Sequence, residues 1–118
     1  MTTPLLYGIK NCDTVKKARA WLNERSVSYH FVDFRSDGIN VAQVSQWIDT
    51  IGLEQLLNKR STTWKNLSEA ERQQALSPKQ AGALIVANPT LIKRPLLETG
   101  KHTTTGFKPA DYAALFTR

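Results

Sequence analysis

The sequence predicts an α/β chain: a mixed four-stranded sheet built from a βαβ unit and then a ββα unit, with a helical insertion between them over about residues 40–88. Three observations lead there. Two apolar, β-favouring runs near the N-terminus, Leu5-Leu6-Tyr7 and Tyr29-His30-Phe31-Val32, flank a segment with helical periodicity. The middle of the chain carries repeated helix-start signals. Toward the C-terminus, two extended stretches flank the turn signal Thr99-Gly100-Lys101, and a last amphipathic segment follows.

Taken in order, Leu5-Leu6-Tyr7 reads as a buried strand ending at Gly8. Val15, Ala18 and Leu22 then follow the i, i+3, i+7 spacing of a helix face, with Trp21 beside them and Lys16, Lys17 and Arg19 on other faces. The second strand runs through Tyr29 and Phe31 toward Asp33-Phe34, and Asp37-Gly38 marks a turn. Strand, helix and strand in that order make a parallel pair. Asn40 is placed to cap a helix whose face is Val41, Val44, Ile48 and Ile51, with Gln43 in the reciprocal capping position and Gly52 as its end. Ser68-x-x-Glu71 repeats the capping pattern. Ser77-Pro78-Lys79-Gln80 repeats it again with proline at the first helical position, for a helix carrying Ala81, Leu84 and Ile85 that stops before Pro89. Between these elements, Asn58 to Trp64 reads as a polar loop. Leu91 to Glu98 reads as extended and broken by Pro95, His102 to Gly106 as the partner strand, and Lys108-Pro109 as the start of a helix holding Tyr112, Leu115 and Phe116.

The 118 residues suit one domain, 1–118, able to bury about two-thirds of the surface its unfolded chain exposes. No apolar run approaches membrane-spanning length, and the N-terminus lacks a signal-peptide pattern, so a cytoplasmic protein with no membrane partner is expected. Cys12 is the one cysteine, which excludes an internal disulfide, and no Cys/His cluster offers a metal site. The net charge of +6 comes without a polybasic run or interleaved aromatic residues, which argues against nucleic acid as a partner. Basic residues gather instead at Lys10, Lys16, Lys17, Arg19 and Arg25, with further pairs at Lys59-Arg60 and Lys93-Arg94.

A lone cysteine is by default a buried, inert small hydrophobe. Cys12 stands elsewhere, after a strand and a glycine and at the mouth of the first helix. A free thiol ionises near pH 8.5, and helix N-termini and adjacent cations favour its thiolate. First-turn N–H groups and the helix dipole act in that direction. Lys16, four residues on, shares the Cys12 face of the helix, Lys10 and Asn11 precede it, and Thr14 offers a hydroxyl donor. Asp13 opposes them. Cys12 is therefore expected to react as a thiolate near neutral pH, with Lys10, Asn11, Thr14 and Lys16 as its stabilising neighbours.

Four blocks then identify a resemblance that covers nearly the whole chain. They are Tyr7-Gly8-Ile9-Lys10-Asn11-Cys12-Asp13-Thr14-Val15-Lys16-Lys17-Ala18, Asn58-Lys59-Arg60-Ser61-Thr62-Thr63-Trp64, Pro89-x-Leu91-Ile92-Lys93-Arg94-Pro95 and Gly106-Phe107-Lys108. In this order they resemble the ArsC/Spx-type branch of the thioredoxin-like superfamily, the arsenate reductase-like family, and are nearest to its YffB group. The resemblance implies a thioredoxin-like sheet and makes Cys12 the counterpart of the family's reactive cysteine. Arg60 or an immediate neighbour matches a basic position in the middle loop. Arg94 matches the arginine before the family's proline, and Pro95 the proline that such folds hold in cis beside the thiol.

Three departures accompany it. Arsenate reductases of the family carry histidine where this chain has Gly8. Their third arginine is matched by Lys108, which keeps the charge but loses the bidentate fork. The redox-sensing regulators carry Cys-x-x-Cys, and here the second position is Val15. The remaining candidates are weaker: His30 and His102 have no catalytic partner at motif spacing, Trp21, Trp47 and Trp64 suit packing, and Asp33, Asp37 and Glu98 lack metal-site spacing.

Together these readings lead to a monothiol, glutathione-dependent thiol reductase. Cys12 attacks a disulfide or another soft electrophile, and glutathione resolves the mixed disulfide as co-substrate, with no bound cofactor. With the resemblance, Arg60, Arg94, Pro95 and Lys108 are expected to form the anion and glutathione site, joined by Lys10. A monomer is expected, with a small-molecule or protein thiol/disulfide substrate and glutaredoxin as a further candidate partner. Arsenate reduction is one alternative, and a non-enzymatic module docking on RNA polymerase, as the redox-sensing relatives do, is another.

Overall fold

The computed structural model describes residues 3–116. In chain order its elements are β1 (Leu5–Gly8), α1 (Asp13–Glu24), β2 (His30–Asp33), α2 (Val41–Ile51), α3 (Leu53–Leu56), α4 (Thr62–Lys65), α5 (Glu69–Ala75), α6 (Ala81–Ala87), a 3-10 turn at Pro89–Leu91, β3 (Leu96–Glu98), β4 (Thr103–Thr105) and α7 (Pro109–Phe116). They divide into two compact units. One joins the chain up to Asp33 with the chain from Arg94 onward, and the other is Phe34–Lys93.

The first unit holds the sheet, ordered β2-β1-β3-β4. β1 and β2 are parallel, with α1 as the crossover that such a pair requires, while β1–β3 and β3–β4 are antiparallel. The expected mixed, thioredoxin-like sheet is thus present. Leu6 and Leu97 face each other across β1 and β3. They pack with Ala18, Trp21 and Leu22 of α1 and Tyr112 of α7 into one buried cluster. Tyr112 is the aromatic hub of that cluster, edge-on to Trp21 at 5.7 Å and to Phe107 at 4.8 Å. Such pairs contribute about 0.5–1.5 kcal/mol beyond the area they bury.

α1 closes without a glycine. Ser26 adopts a left-handed φ of 56°, and the N–H groups of Ser26 and Val27 return to the carbonyls of Asn23 and Leu22. This is the double closure usually given to glycine.

In the second unit, α2 carries the expected reciprocal cap. Asn40 N–H donates to Gln43 Oε1 and Gln43 N–H to Asn40 Oδ1, each at 2.9 Å, and Gly52 ends the helix with φ of 82°. Its buried face differs from the expected one: Val44, Trp47 and Ile48 are buried, whereas Val41 is 48% exposed. Trp47 stands edge-on to Phe34, so the bulkier ring rather than Val41 sets which side of α2 is covered. The Ser68/Glu71 capping box forms as expected.

The Ser77 cap does not form. The carbonyl of Ser77 accepts from both Gln80 and Ala81 N–H groups, which makes 77–80 a separate turn. α6 begins at Ala81 after Gln80 with no side-chain cap. The stretch read as a polar loop also contains a helical turn. Ser61 accepts from Trp64 N–H to open α4, and Arg72 closes it by donating to the carbonyls of Trp64 and Lys65.

Candidate functional site

Cys12 caps α1. Its backbone is extended, with φ −84° and ψ 125°. Its N–H donates to the Ile9 carbonyl at 3.1 Å, and its own carbonyl accepts from Lys16 at 3.0 Å. The first contact closes a four-residue turn, Ile9 to Cys12, and the second starts the helix. The thiol is free, half-buried, and makes no capping hydrogen bond to the first turn.

Strand register gathers the other sheet-borne residues at the same end. Tyr7 pairs with Leu96, so the next rung outward sets Gly8 beside Pro95. The Pro95 carbonyl accepts from Gly106 N–H at 2.9 Å, which adds the end of β4 to the row. From this row the chain leaves Gly8 toward Cys12, enters Pro95 from Arg94, and leaves Gly106 toward Lys108. The last departure bends at Gly106 with φ of 78°, a conformation that favours glycine. The Arg94–Pro95 peptide is cis. Pro95 is buried, while Arg94 is half-buried with its Nε enclosed and has an interaction within the protein.

Lys10, Asn11, Lys16 and Lys108 are exposed, and Thr14 is half-buried in the first turn of α1. Arg60 belongs to the Phe34–Lys93 unit, where it is exposed and donates its N–H to Asn58 Oδ1 at 3.1 Å. Two residues that meet the Gly8–Cys12 segment were not expected to be part of the site. Asp33, set aside as a metal ligand, is 5% exposed and accepts the Lys10 N–H at 3.3 Å. Val15, noted for the cysteine it replaces, is fully buried against Gly8. A carboxylate at a strand end is the available sequence signal for the first, and a glycine facing a β-branched residue is the signal for the second.

No described helix is long and apolar enough to cross a membrane. Among the described residues, no group of three or more His, Cys, Asp or Glu could hold a metal ion.

A parallel β–α–β start, an antiparallel hairpin entered through a cis-proline, and a cysteine capping the first helix define a protein of the thioredoxin-like class. The ArsC family model matches residues 7–115, and the chain belongs to that family. A solved structure of a YffB protein is 46% identical, covers 95% of this chain and 97% of its own, and superposes with a TM-score of 0.89. An uncharacterised protein of Haemophilus influenzae is 41% identical over 111 residues, 94% of this chain and 96% of its own. The global transcriptional regulator Spx of Listeria innocua is 27% identical over 104 residues, 86% of this chain and 78% of its own. The four sequence blocks therefore pointed to the right family.

Proposed function

We propose that this protein is a glutathione-dependent thiol reductase of monothiol type, working in the cytoplasm as a monomer. The observation that carries the reading is one free, half-buried thiol capping α1, at the sheet end that also bears Arg94 and Lys108. Cys12 thiolate attacks one sulfur of a substrate disulfide. A Cys12–sulfur bond forms as the substrate S–S bond breaks, and the departing thiolate takes up a proton. The chain has no second cysteine to resolve the adduct, so an external thiol must do so. When the group left on Cys12 is glutathionyl, a glutathione thiolate attacks it, releases Cys12 and leaves as glutathione disulfide. The two electrons come from the two glutathione units.

Glutathione carries two carboxylates, which suit Arg94, Lys108 and Lys10 as charge-assisted donors. Glutaredoxin could supply the resolving thiol instead. The test is turnover of a glutathione mixed disulfide in the presence of glutathione. Activity that Cys12→Ser abolishes supports the reading, and no turnover by the wild type sinks it.

Arsenate reduction is less well supported, because the space beside Gly8 is filled by Val15 and leaves no place for the histidine of the family's arsenate reductases. Likeness to the Spx regulators favours a second reading, a module that docks on RNA polymerase. Capture of polymerase by the wild type and Cys12→Ser alike, with no thiol turnover, would establish it over the first.

A further inference from the structure

We propose that Asp33 is the positioning residue of the Cys12 turn. Among the described residues it is the one buried charged side chain, 5% exposed. It ends β2 directly opposite Gly8, the last residue of β1. A carboxylate in such a place is costly unless hydrogen bonds hold it. One of those bonds goes to the Lys10 N–H at 3.3 Å, and the residue has a further interaction of its own.

The target of that bond matters. The turn from Ile9 to Cys12 is closed by Cys12 N–H on the Ile9 carbonyl, and a turn closed in this way leaves the N–H of its second residue, here Lys10, without a partner inside the turn. Asp33 supplies that partner from the neighbouring strand. The turn is therefore tied to β1 through the chain, to α1 through the Cys12 carbonyl, and to β2 through Asp33. Its fourth residue is the thiol. Asp33 acts through Lys10 on where Cys12 sits; no contact between its carboxylate and the sulfur is involved.

The hydrogen bond, and not the charge, is the operative feature, so Asp33→Asn and Asp33→Ala separate the two. An asparagine oxygen still accepts from Lys10, whereas alanine cannot. In Asp33→Ala the Lys10 amide should exchange with solvent at least about tenfold faster, while the Leu6 and Leu97 amides of the sheet keep their protection. Iodoacetamide should alkylate Cys12 about threefold or more slowly, because the turn no longer holds the thiol at the helix mouth. In Asp33→Asn, Lys10 protection and the alkylation rate should both stay within about twofold of wild type.

Equal behaviour of Asn and Ala would show a charge effect and overturn the proposal, as would a wild-type Lys10 amide in Asp33→Ala. If the alanine variant does not fold, the asparagine variant decides alone: an unprotected Lys10 amide in a folded Asp33→Asn overturns the proposal, and a protected one with normal alkylation upholds it. Neither readout depends on glutathione, so failure here and failure of the reductase reading are distinguishable.

Discussion

A Cβ placed on Gly8 would stand 2.7 Å from the Cγ2 methyl of Val15. The end of β1 thus has no room for a side chain at position 8 while the valine methyls stand at position 15. Position 8 is where the family's arsenate reductases carry histidine, and position 15 is where its redox regulators carry their second cysteine. Gly8 and Val15, the two departures at these positions, pack against each other.

The steric conflict is measurable. Gly8→Ala should destabilise the protein by about 1–3 kcal/mol through overpacking. In a Val15→Ala background the same substitution should cost at least about 0.5 kcal/mol less, because the opposing methyls are gone. Urea unfolding of the four proteins closes the cycle, and strictly additive costs would contradict the close packing. By the same argument, Gly8→His alone should destabilise the protein without creating arsenate turnover. Val15→Ala would have to accompany it.

Arg94 is expected to act on anionic partners of the thiol more than on the thiol's presentation. Arg94→Ala should slow the reaction of Cys12 with oxidised glutathione about tenfold, the loss expected of one charge-assisted contact. Alkylation by neutral iodoacetamide should change much less. Lys108→Ala, at an exposed position, should slow the glutathione reaction by no more than about twofold to threefold, as solvent-screened charges contribute little. Equal slowing of both reagents by Arg94→Ala would remove Arg94 from the anion site.

What was legible in the sequence followed from local rules. The Asn40/Gln43 and Ser68/Glu71 caps formed because each needs only residues three apart. The strands and α1 were visible in apolar periodicity. The errors fell where tertiary contacts outweighed local preference. Trp47 displaced Val41 from the buried face of α2. The Ser77 carbonyl took two backbone donors and made a turn where a cap was expected. α4 is held at its far end by Arg72, which no short window of sequence reveals. At the candidate site Cys12 was singled out by its place at the helix mouth, and Arg94, Pro95 and Lys108 were expected through resemblance to a family. Asp33 was not, because its partner is a backbone N–H 23 residues away.

Tyr112 offers a test of the core. Its hydroxyl is buried and makes no hydrogen bond among the described residues, and burial pushes its phenol above the ordinary value of 10.0. Removing an unsatisfied buried hydroxyl relieves its desolvation cost, so Tyr112→Phe should stabilise the protein by about 1 kcal/mol at neutral pH. A raised folded-state value means that the phenol's contribution is intact below the unfolded value and is lost as pH rises beyond it. Wild type should therefore lose stability above about pH 10 more steeply than Tyr112→Phe. A neutral-pH loss of stability in Tyr112→Phe would show that the hydroxyl is satisfied after all.

If Cys12 is a nucleophile that takes glutathione as its partner, intact mass after incubation with oxidised glutathione will show it. One glutathionyl group per chain is expected, removed by a reductant and absent in Cys12→Ser. An unmodified chain, or a product that is mainly disulfide-linked dimer, would contradict it.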